Sequence, residues 1–102
     1  MSQRLLACLV DEIPAERGKE CVLGGRVVAL FRVGDDVVAI DGICPHAGGP
    51  LAQGMVRNEV VTCPWHGWQY NVRTGQHQLN PRICVESFKT TVENGQVFVE
   101  IT

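Results

Sequence analysis

The sequence predicts an all-β fold, an antiparallel sandwich or barrel that carries a small inserted lobe. Three observations favour this fold class. Short runs rich in valine, leucine and isoleucine recur along the chain, pairs of turn-forming residues separate them, and the C-terminal runs alternate apolar with polar side chains. Many short strands divided by turn signals are typical of sandwiches and barrels. With 102 residues, the chain has the length of one domain.

The first half of the chain contains four predicted strands, which are Arg4–Val10, Cys21–Leu23, Arg26–Val33 and Val37–Asp41. Gly24-Gly25 and Gly34-Asp35 stand between consecutive runs, and such pairs are typical of two-residue hairpin turns. We expect a helix only as a short turn within Asp11–Arg17, where Pro14 could begin it.

A hairpin is predicted at the C-terminal end, around the type I′ turn signal Asn94-Gly95. Apolar or β-branched residues alternate with other residues on both sides of this turn. Because side chains two residues apart in a strand share a face, the pattern predicts one face directed toward a core. That face contains Phe88, Thr90, Val92, Val97, Val99 and Ile101.

The middle of the chain, about residues 43 to 72, departs from this pattern. It is rich in glycine and proline and has one short predicted strand, Val60–Cys63. We interpret this stretch as a small lobe within a single domain that spans residues 1 to 102. Functional groups often lie on loops that project from a rigid β scaffold, so a site is expected in this lobe.

Two short boxes in the lobe carry ligand chemistry, Cys44-Pro45-His46 and Cys63-Pro64-Trp65-His66. Each offers one thiolate and one imidazole, and two of each are the ligands of a mixed-ligand 2Fe–2S centre. Two cysteines and two histidines also make structural zinc sites. Zinc sites usually place the cysteine pair and the histidine pair in separate boxes, whereas each box here mixes both types. An iron–sulfur centre is favoured, and zinc is the alternative.

These boxes resemble those of the Rieske family, which read Cys-x-His and Cys-x-x-His. The resemblance continues through Gly48-Gly49-Pro50-Leu51, Gly67-Trp68-Gln69-Tyr70 and Thr74-Gly75, and it covers nearly the whole chain. It implies that the two histidine ligands lie at an exposed tip, with the cysteine-ligated iron deeper. It also implies a Rieske-like fold with one 2Fe–2S cluster per chain, held by Cys44, His46, Cys63 and His66.

The resemblance also suggests roles for the residues around these ligands. Tyr70 is expected to donate its hydroxyl hydrogen to a ligand cysteine, and the alternative is a core tyrosine with its hydroxyl at the surface. Trp65 is expected to cover the lobe or its docking face, with simple packing as the alternative. Pro81 falls in a loop that shields the cluster in the family. Three glycines either let the backbone wrap closely around the cluster or are ordinary turn residues, namely Gly48, Gly49 and Gly67.

Two features of high-potential Rieske proteins are missing here. A disulfide joins the two loops of those proteins, but Gly49 and Trp65 stand at its two positions in this chain. Those proteins also place a serine two residues after the second histidine, where this chain has Trp68. We therefore expect a midpoint potential at the low end of the Rieske range, about −150 mV.

Three cysteines and one histidine stand outside the boxes. Cys8, Cys21 and Cys84 lie in or beside apolar runs and are predicted to be buried free thiols. His77 has no partner in a box of its own and is predicted to be a solvated loop residue.

The resemblance implies a soluble ferredoxin, which carries electrons and is not itself an enzyme. It would accept electrons from an NAD(P)H-dependent flavoprotein reductase and pass them to the terminal oxygenase of a ring-hydroxylating dioxygenase system. A Rieske-like small subunit of a cytoplasmic nitrite reductase is the second hypothesis. A zinc-stabilised interaction module is the third.

Charge and hydropathy indicate which classes of partner and which cellular location to expect. The formal net charge of −2 and the pI near 5.8 argue against nucleic-acid binding, which calls for a basic surface. The apolar stretch near the start, Leu5–Val10, is too short for a signal-peptide core or a membrane span. We therefore expect a cytoplasmic protein that does not bind a membrane.

Overall fold

Three antiparallel sheets make up most of the fold in the computed structural model, which describes residues 3 to 45 and 47 to 101. The sheets have the strand orders β1-β10-β9, β2-β3-β4-β8 and β5-β6-β7. The predicted all-β fold is therefore confirmed. In chain order the strands are β1 (Gln3–Leu9), β2 (Lys19–Leu23), β3 (Arg26–Val33), β4 (Asp36–Asp41), β5 (Met55–Arg57), β6 (Val60–Thr62), β7 (Gln69–Asn71), β8 (Ser87–Phe88), β9 (Thr90–Glu93) and β10 (Gln96–Ile101).

Within the described ranges, no helix combines the length and the apolar character that crossing a membrane would require.

The middle sheet, β2-β3-β4-β8, is covered on both of its faces. Its hairpins use the predicted glycine turns, since Gly24 and Gly25 have φ of 58° and 81° and Gly34 has φ of 60°. These positive angles are accessible to glycine at little cost. The central run of β3, residues 28 to 31, is fully buried, and alternate side chains point into two different cores. The strand is therefore packed from both sides, as its continuous apolar sequence indicates.

Two hydrophobic cores lie on opposite faces of this middle sheet. The outer core fills the space toward the β1-β10-β9 sheet and contains Cys8, Ile13, Cys21, Leu23, Val28, Leu30, Val37, Ala39, Phe88, Val97, Val99 and Ile101. The site core lies on the other face and contains Ala29, Phe31, Ile40, Cys44, Leu51, Ala52, Val61, Cys63, Tyr70, Val72 and Val85. Both predicted ligand cysteines belong to the site core.

The third sheet, β5-β6-β7, lies within residues 43 to 72, where only one short strand was predicted. Its strands have three residues each, which is too short for an alternating pattern to stand out. Asn58 and Glu59 form the turn between β5 and β6 with φ of 50° and 67°. Glutamate is uncommon in this left-handed region, so the turn carries a weak sequence signal. The extent of the lobe and the assignment of residues 1 to 102 to one domain remain predictions.

The C-terminal hairpin is confirmed, but its predicted apolar face is only partly buried. Asn94 and Gly95 have φ of 52° and 77°, as a type I′ turn requires. Phe88 lies in β8 and pairs with β4 in the middle sheet, whereas Thr90 and Val92 lie in β9 of the other sheet. Val92 is exposed because β9 is an edge strand that pairs only with β10 among the described strands. The prediction that all six residues face a core is wrong for Val92.

The short turn near the start of the chain occurs earlier than predicted. A 3-10 turn spans Val10–Glu12 and therefore ends before Pro14. The Glu12 carboxylate accepts a hydrogen bond from the Leu9 backbone N–H at 2.8 Å. The Glu12 side chain thus satisfies the backbone N–H of Leu9, the residue that precedes the turn. This bond explains why the turn begins without proline.

Candidate metal centre

The first cysteine loop, residues 44 to 49, is closed by two backbone hydrogen bonds. The Cys44 N–H donates to the Gly49 carbonyl at 2.9 Å, and the Gly48 N–H donates to the Cys44 carbonyl at 2.8 Å. Gly48 turns the chain with φ of 76°. The predicted ligand His46 belongs to this loop but lies outside the described residues.

The second cysteine loop, residues 63 to 68, repeats the same pair of bonds. The Cys63 N–H donates to the Trp68 carbonyl at 2.7 Å, and the Gly67 N–H donates to the Cys63 carbonyl at 3.2 Å. Gly67 has φ of 75°, and His66 also lies in the left-handed region with φ of 72°. The sequence Cys-Pro, followed by glycine four residues after cysteine, thus builds the same loop twice and places His66 at the exposed end of one copy.

The two cysteines meet inside the site core. Both are buried in the same cluster, and Cys44 is close enough to Cys63 to affect the pKa of its thiol. Burial raises the pKa of the Cys63 thiol, the Trp65 backbone N–H opposes this rise, and the adjacent Cys44 adds to it. Two neighbouring buried thiols cannot both ionise without a compensating positive charge. A metal bound by both sulfurs would supply that charge.

Three glycines around these cysteines serve two different physical purposes. A Cβ on Gly49 would lie 2.7 Å from the Cys63 sulfur and 3.1 Å from Trp65, so only glycine lets the first loop pack on the second. Among the described residues, no atom lies within 4 Å of such a Cβ on Gly48 or Gly67, and their positive φ is the reason for glycine there. Gly49 is thus the glycine that allows the close approach of the two loops.

Tyr70, in β7, points its hydroxyl toward the first cysteine. The side chain is fully buried, and its oxygen lies 3.4 Å from the Cys44 sulfur. Burial raises the pKa of Tyr70, and the nearby Cys44 adds to the rise, so the phenol keeps its proton. A thiolate at Cys44 can only accept, and the tyrosine would then be the donor. The hydroxyl therefore lies at the sulfur and not at the surface.

The remaining predicted residues lie around the outer side of the two loops. Trp65 is 50% exposed, whereas Trp68 is half-buried and packs against the site core. Pro81 is exposed, and its carbonyl accepts a hydrogen bond from the Gln76 amide at 3.5 Å. Among the described residues, no three histidine, cysteine or acidic side chains gather into a metal site, and His46 is not one of those residues.

His77 is buried, so the prediction of a solvated loop histidine is wrong. Only 8% of the residue is exposed, and a β-bridge pairs it with Tyr70. Its Nδ1 atom accepts hydrogen bonds from the backbone N–H groups of Leu79 and Asn80, both at 3.1 Å. The reason is the pairing of residues 76 to 78 beside β7, which no local sequence pattern reveals.

The cysteines outside the two boxes divide into two groups. Cys8 and Cys21 are buried free thiols, as predicted, whereas Cys84 is free but exposed. Cys84 takes part in an isolated β-bridge with Gln76 and not in a regular strand with a buried face. The prediction of a buried thiol is therefore wrong for Cys84.

The family model described as the Rieske [2Fe-2S] domain matches residues 3–89. The ferredoxin subunit of anthranilate 1,2-dioxygenase from Burkholderia cepacia is 30% identical over 93 residues, covering 90% of this chain and 86% of that protein.

Two solved structures have the same fold over nearly the full length. A protein assigned as the small subunit of an NADH-dependent nitrite reductase from Mycobacterium tuberculosis has a TM-score of 0.90 and 25% identity, over 100% of this chain and 97% of that one. A complex of reduced oxygenase and oxidised ferredoxin in carbazole 1,9a-dioxygenase contains a chain with a TM-score of 0.82 and 28% identity. That match covers 94% of this chain and 91% of the other.

Proposed function

Because the chain belongs to the Rieske [2Fe–2S] family, we propose that it is a ferredoxin that carries single electrons from an NAD(P)H-dependent flavoprotein reductase to a terminal oxygenase. The observation that carries this proposal is the pair of matched loops that bring Cys44 and Cys63 together in the site core. The relatives named as ferredoxin components are electron carriers, so this chain is placed among carriers and not among catalytic enzymes.

Four residues would hold the cluster. Cys44 and Cys63 would bind the inner iron, and His46 and His66 would bind the outer one. The buried thiol pair fits the inner position, since bound iron supplies the positive charge that two adjacent thiolates need. The exposure of His66 fits a histidine-ligated iron near the surface. When bound, the cluster accepts and returns one electron.

Two hydrogen-bond donors tune the sulfur ligands. The Tyr70 hydroxyl lies 3.4 Å from the Cys44 sulfur, and the Trp65 backbone N–H lowers the pKa of the Cys63 thiol. Each donor withdraws negative charge from a thiolate. Because the reduced state carries one more negative charge than the oxidised state, both donors favour the reduced protein.

Exposed apolar side chains near the two loops support docking of a protein partner at this end of the molecule. Ile43 adjoins the first loop, Trp65 belongs to the second, and Leu79, which is 89% exposed, follows His77. Exposed apolar groups around a site are typical of interaction surfaces. The solved complex of a related ferredoxin chain with its oxygenase supports an oxygenase as that partner. The three cysteines outside the boxes, Cys8, Cys21 and Cys84, are free, which supports a reducing compartment, the cytoplasm.

A nitrite reductase small subunit is the second candidate function. The structural match to the Mycobacterium tuberculosis protein supports this candidate, because it extends over the whole chain. The fold does not separate the two roles. The measurement that separates them is electron transfer from the reduced protein to a terminal oxygenase, compared with transfer to a nitrite reductase large subunit. The acceptor that is reduced identifies the role.

Metal analysis tests the proposed cluster. The purified protein should contain about two irons and two acid-labile sulfides per chain, with one unpaired electron after reduction. Cys63→Ser should lose most of the iron, whereas Cys84→Ser, at an exposed cysteine, should retain it. A single zinc without sulfide, after expression with iron supplied, would establish the zinc-stabilised module instead.

A further inference from the structure

His77 connects the exposed loop at residues 79 to 83 with the interior of the site core. The two backbone N–H groups bonded to its Nδ1 atom come from Leu79 and Asn80, at the start of this loop. The His77 N–H donates in turn to the Ile83 carbonyl at 2.9 Å, near the end of the loop. One residue thus ties both ends of the loop.

These bonds also determine the protonation pattern of the imidazole. A nitrogen that accepts two hydrogen bonds carries no proton, so the neutral ring places its hydrogen on Nε2. The Nε2 atom is buried and has no hydrogen-bond partner among the residues that the structure describes. Leaving a buried donor without a partner is unfavourable, so the other contacts of the ring must hold it in this position.

Those contacts are made with two aromatic rings of the second loop and β7. The imidazole meets Trp68 edge to face, with ring centroids 4.8 Å apart and planes at 86°. It meets Tyr70 in the same way, at 5.3 Å and 89°. Edge-to-face pairs have a preferred geometry and restrict the motion of both rings. His77 therefore fixes the ring whose hydroxyl lies 3.4 Å from the Cys44 sulfur.

We propose that His77 is a positioning residue that holds the Tyr70 hydroxyl on the Cys44 sulfur and so helps to set the redox potential of the protein. The inference rests on the proposed function, because the potential belongs to the bound cluster. It assigns to the buried imidazole two separable tasks, in which Nδ1 orders the loop and the ring orients Tyr70.

Two substitutions separate these tasks. In His77→Asn, the side-chain oxygen can take the place of Nδ1 and keep the bonds to Leu79 and Asn80, but the ring is lost. In His77→Phe, a ring remains against Trp68 and Tyr70, but the acceptor is lost. We expect the first variant to lower the midpoint potential and the second to leave it near the parent value. Amide hydrogen exchange at Leu79 and Asn80 should accelerate in His77→Phe only.

A double-mutant cycle shows whether His77 acts through Tyr70. His77→Asn should lower the potential in the parent but not further in a Tyr70→Phe background, because the hydroxyl that it positions is then absent. Gln78→Ala, at the exposed neighbour of His77, is the control and should leave the potential unchanged.

Two results would overturn the role of His77. One is an unchanged potential in His77→Asn, and the other is an equal fall with and without the Tyr70 hydroxyl. If His77→Asn does not fold, His77→Phe provides the test. A midpoint potential of His77→Phe as low as that of Tyr70→Phe would also overturn the role of His77. Iron and sulfide are measured in the parent first. A parent without them contradicts the proposed function too, whereas a loaded parent with unresponsive variants contradicts only His77.

Discussion

At the scale of single residues, the site depends on one hydroxyl group and on one missing Cβ. Tyr70 is the single tyrosine of the chain and is fully buried. Gly49 lies where any side chain would meet the Cys63 sulfur. Each residue lies against a predicted ligand cysteine that is distant in sequence, Tyr70 against Cys44 and Gly49 against Cys63. Both contacts can be tested by removing or adding a single non-hydrogen atom.

Removing the Tyr70 hydroxyl should lower the midpoint potential. Tyr70→Phe keeps the packing of the ring but removes the donor at 3.4 Å from the Cys44 sulfur. If this bond favours the reduced state by about 1 kcal/mol, the potential falls by about 40 mV. Voltammetry of the parent and the variant measures the difference. Equal potentials would show that the hydroxyl does not act on the sulfur.

Adding a methyl group at Gly49 should displace the two loops and reduce the iron content. The new Cβ would stand 2.7 Å from the Cys63 sulfur, inside the contact distance of the atoms. We expect Gly49→Ala to retain well under half of the parental iron. Iron and sulfide analysis after identical expression gives the result.

Gly48→Ala is the matched control for this change. Gly48 has φ of 76°, but none of the described residues has an atom within 4 Å of a Cβ placed there. Alanine there should cost about 1 to 2 kcal/mol of stability through its backbone conformation and leave the iron in place. Similar iron loss in both variants would argue against a specific contact at Gly49.

At the scale of elements, β1 meets β2 through two buried cysteines. A bulge in β1 occurs between Leu6 and Cys8, where the register against β10 shifts. At this bulge, the Cys21 S–H donates a hydrogen bond to the Ala7 carbonyl at 3.6 Å. Cys8 lies beside Cys21 in the outer core, away from the ligand cysteines. The contact between these strands thus depends on two thiols that stay protonated.

Alkaline pH should weaken this contact. Burial is the main reason why the pKa of Cys8 rises from 9.0 to about 11, and Cys21 adds to it. The unfolded thiol ionises at the lower pH, so stability is complete below about pH 9 and is lost as the pH approaches 11. The loss amounts to about 2 to 3 kcal/mol when complete. Urea unfolding of the iron-loaded protein across this interval measures it.

Two alanine variants identify the thiol responsible. Cys8→Ala should flatten the fall in unfolding free energy above about pH 9. Cys84→Ala should keep the parental pH profile, because Cys84 is exposed. The assignment to Cys8 would be wrong if both variants followed the parental profile.

At the scale of the whole molecule, the middle sheet separates the site from half of the apolar interior. The site core contains both predicted ligand cysteines, whereas the outer core on the opposite face contains neither. The β1-β10-β9 sheet covers the outer core, and within this sheet the first strand, β1, pairs with the last strand, β10. Loss of the metal should therefore affect one face of the molecule more than the other.

Removing the cluster with a chelator should loosen the β5-β6-β7 sheet and the two cysteine loops first. Amide exchange there should accelerate strongly, while β1, β3 and β10 stay protected by the outer core. Hydrogen exchange of the iron-loaded and chelated proteins compares the two faces. Uniform acceleration across all three sheets would instead mean that the metal holds the whole fold together.

Local chemistry explains what the sequence alone determines about this protein. Glycine and asparagine pairs identify the hairpin turns because positive φ is a property of single residues. The two cysteine-histidine boxes identify the cluster type because ligand atoms and their spacing are also local. The all-β class follows from periodicity within runs of a few residues.

Only the tertiary structure decides which distant residues meet. Cys44 and Tyr70 are 26 residues apart, and their contact depends on how the first loop and β7 enter the same core. The burial of His77 and the exposure of Val92 and Cys84 likewise depend on strand partners elsewhere in the chain. The physical reason is that burial results from packing between segments, and the residue pattern of one segment does not specify which other segment packs against it.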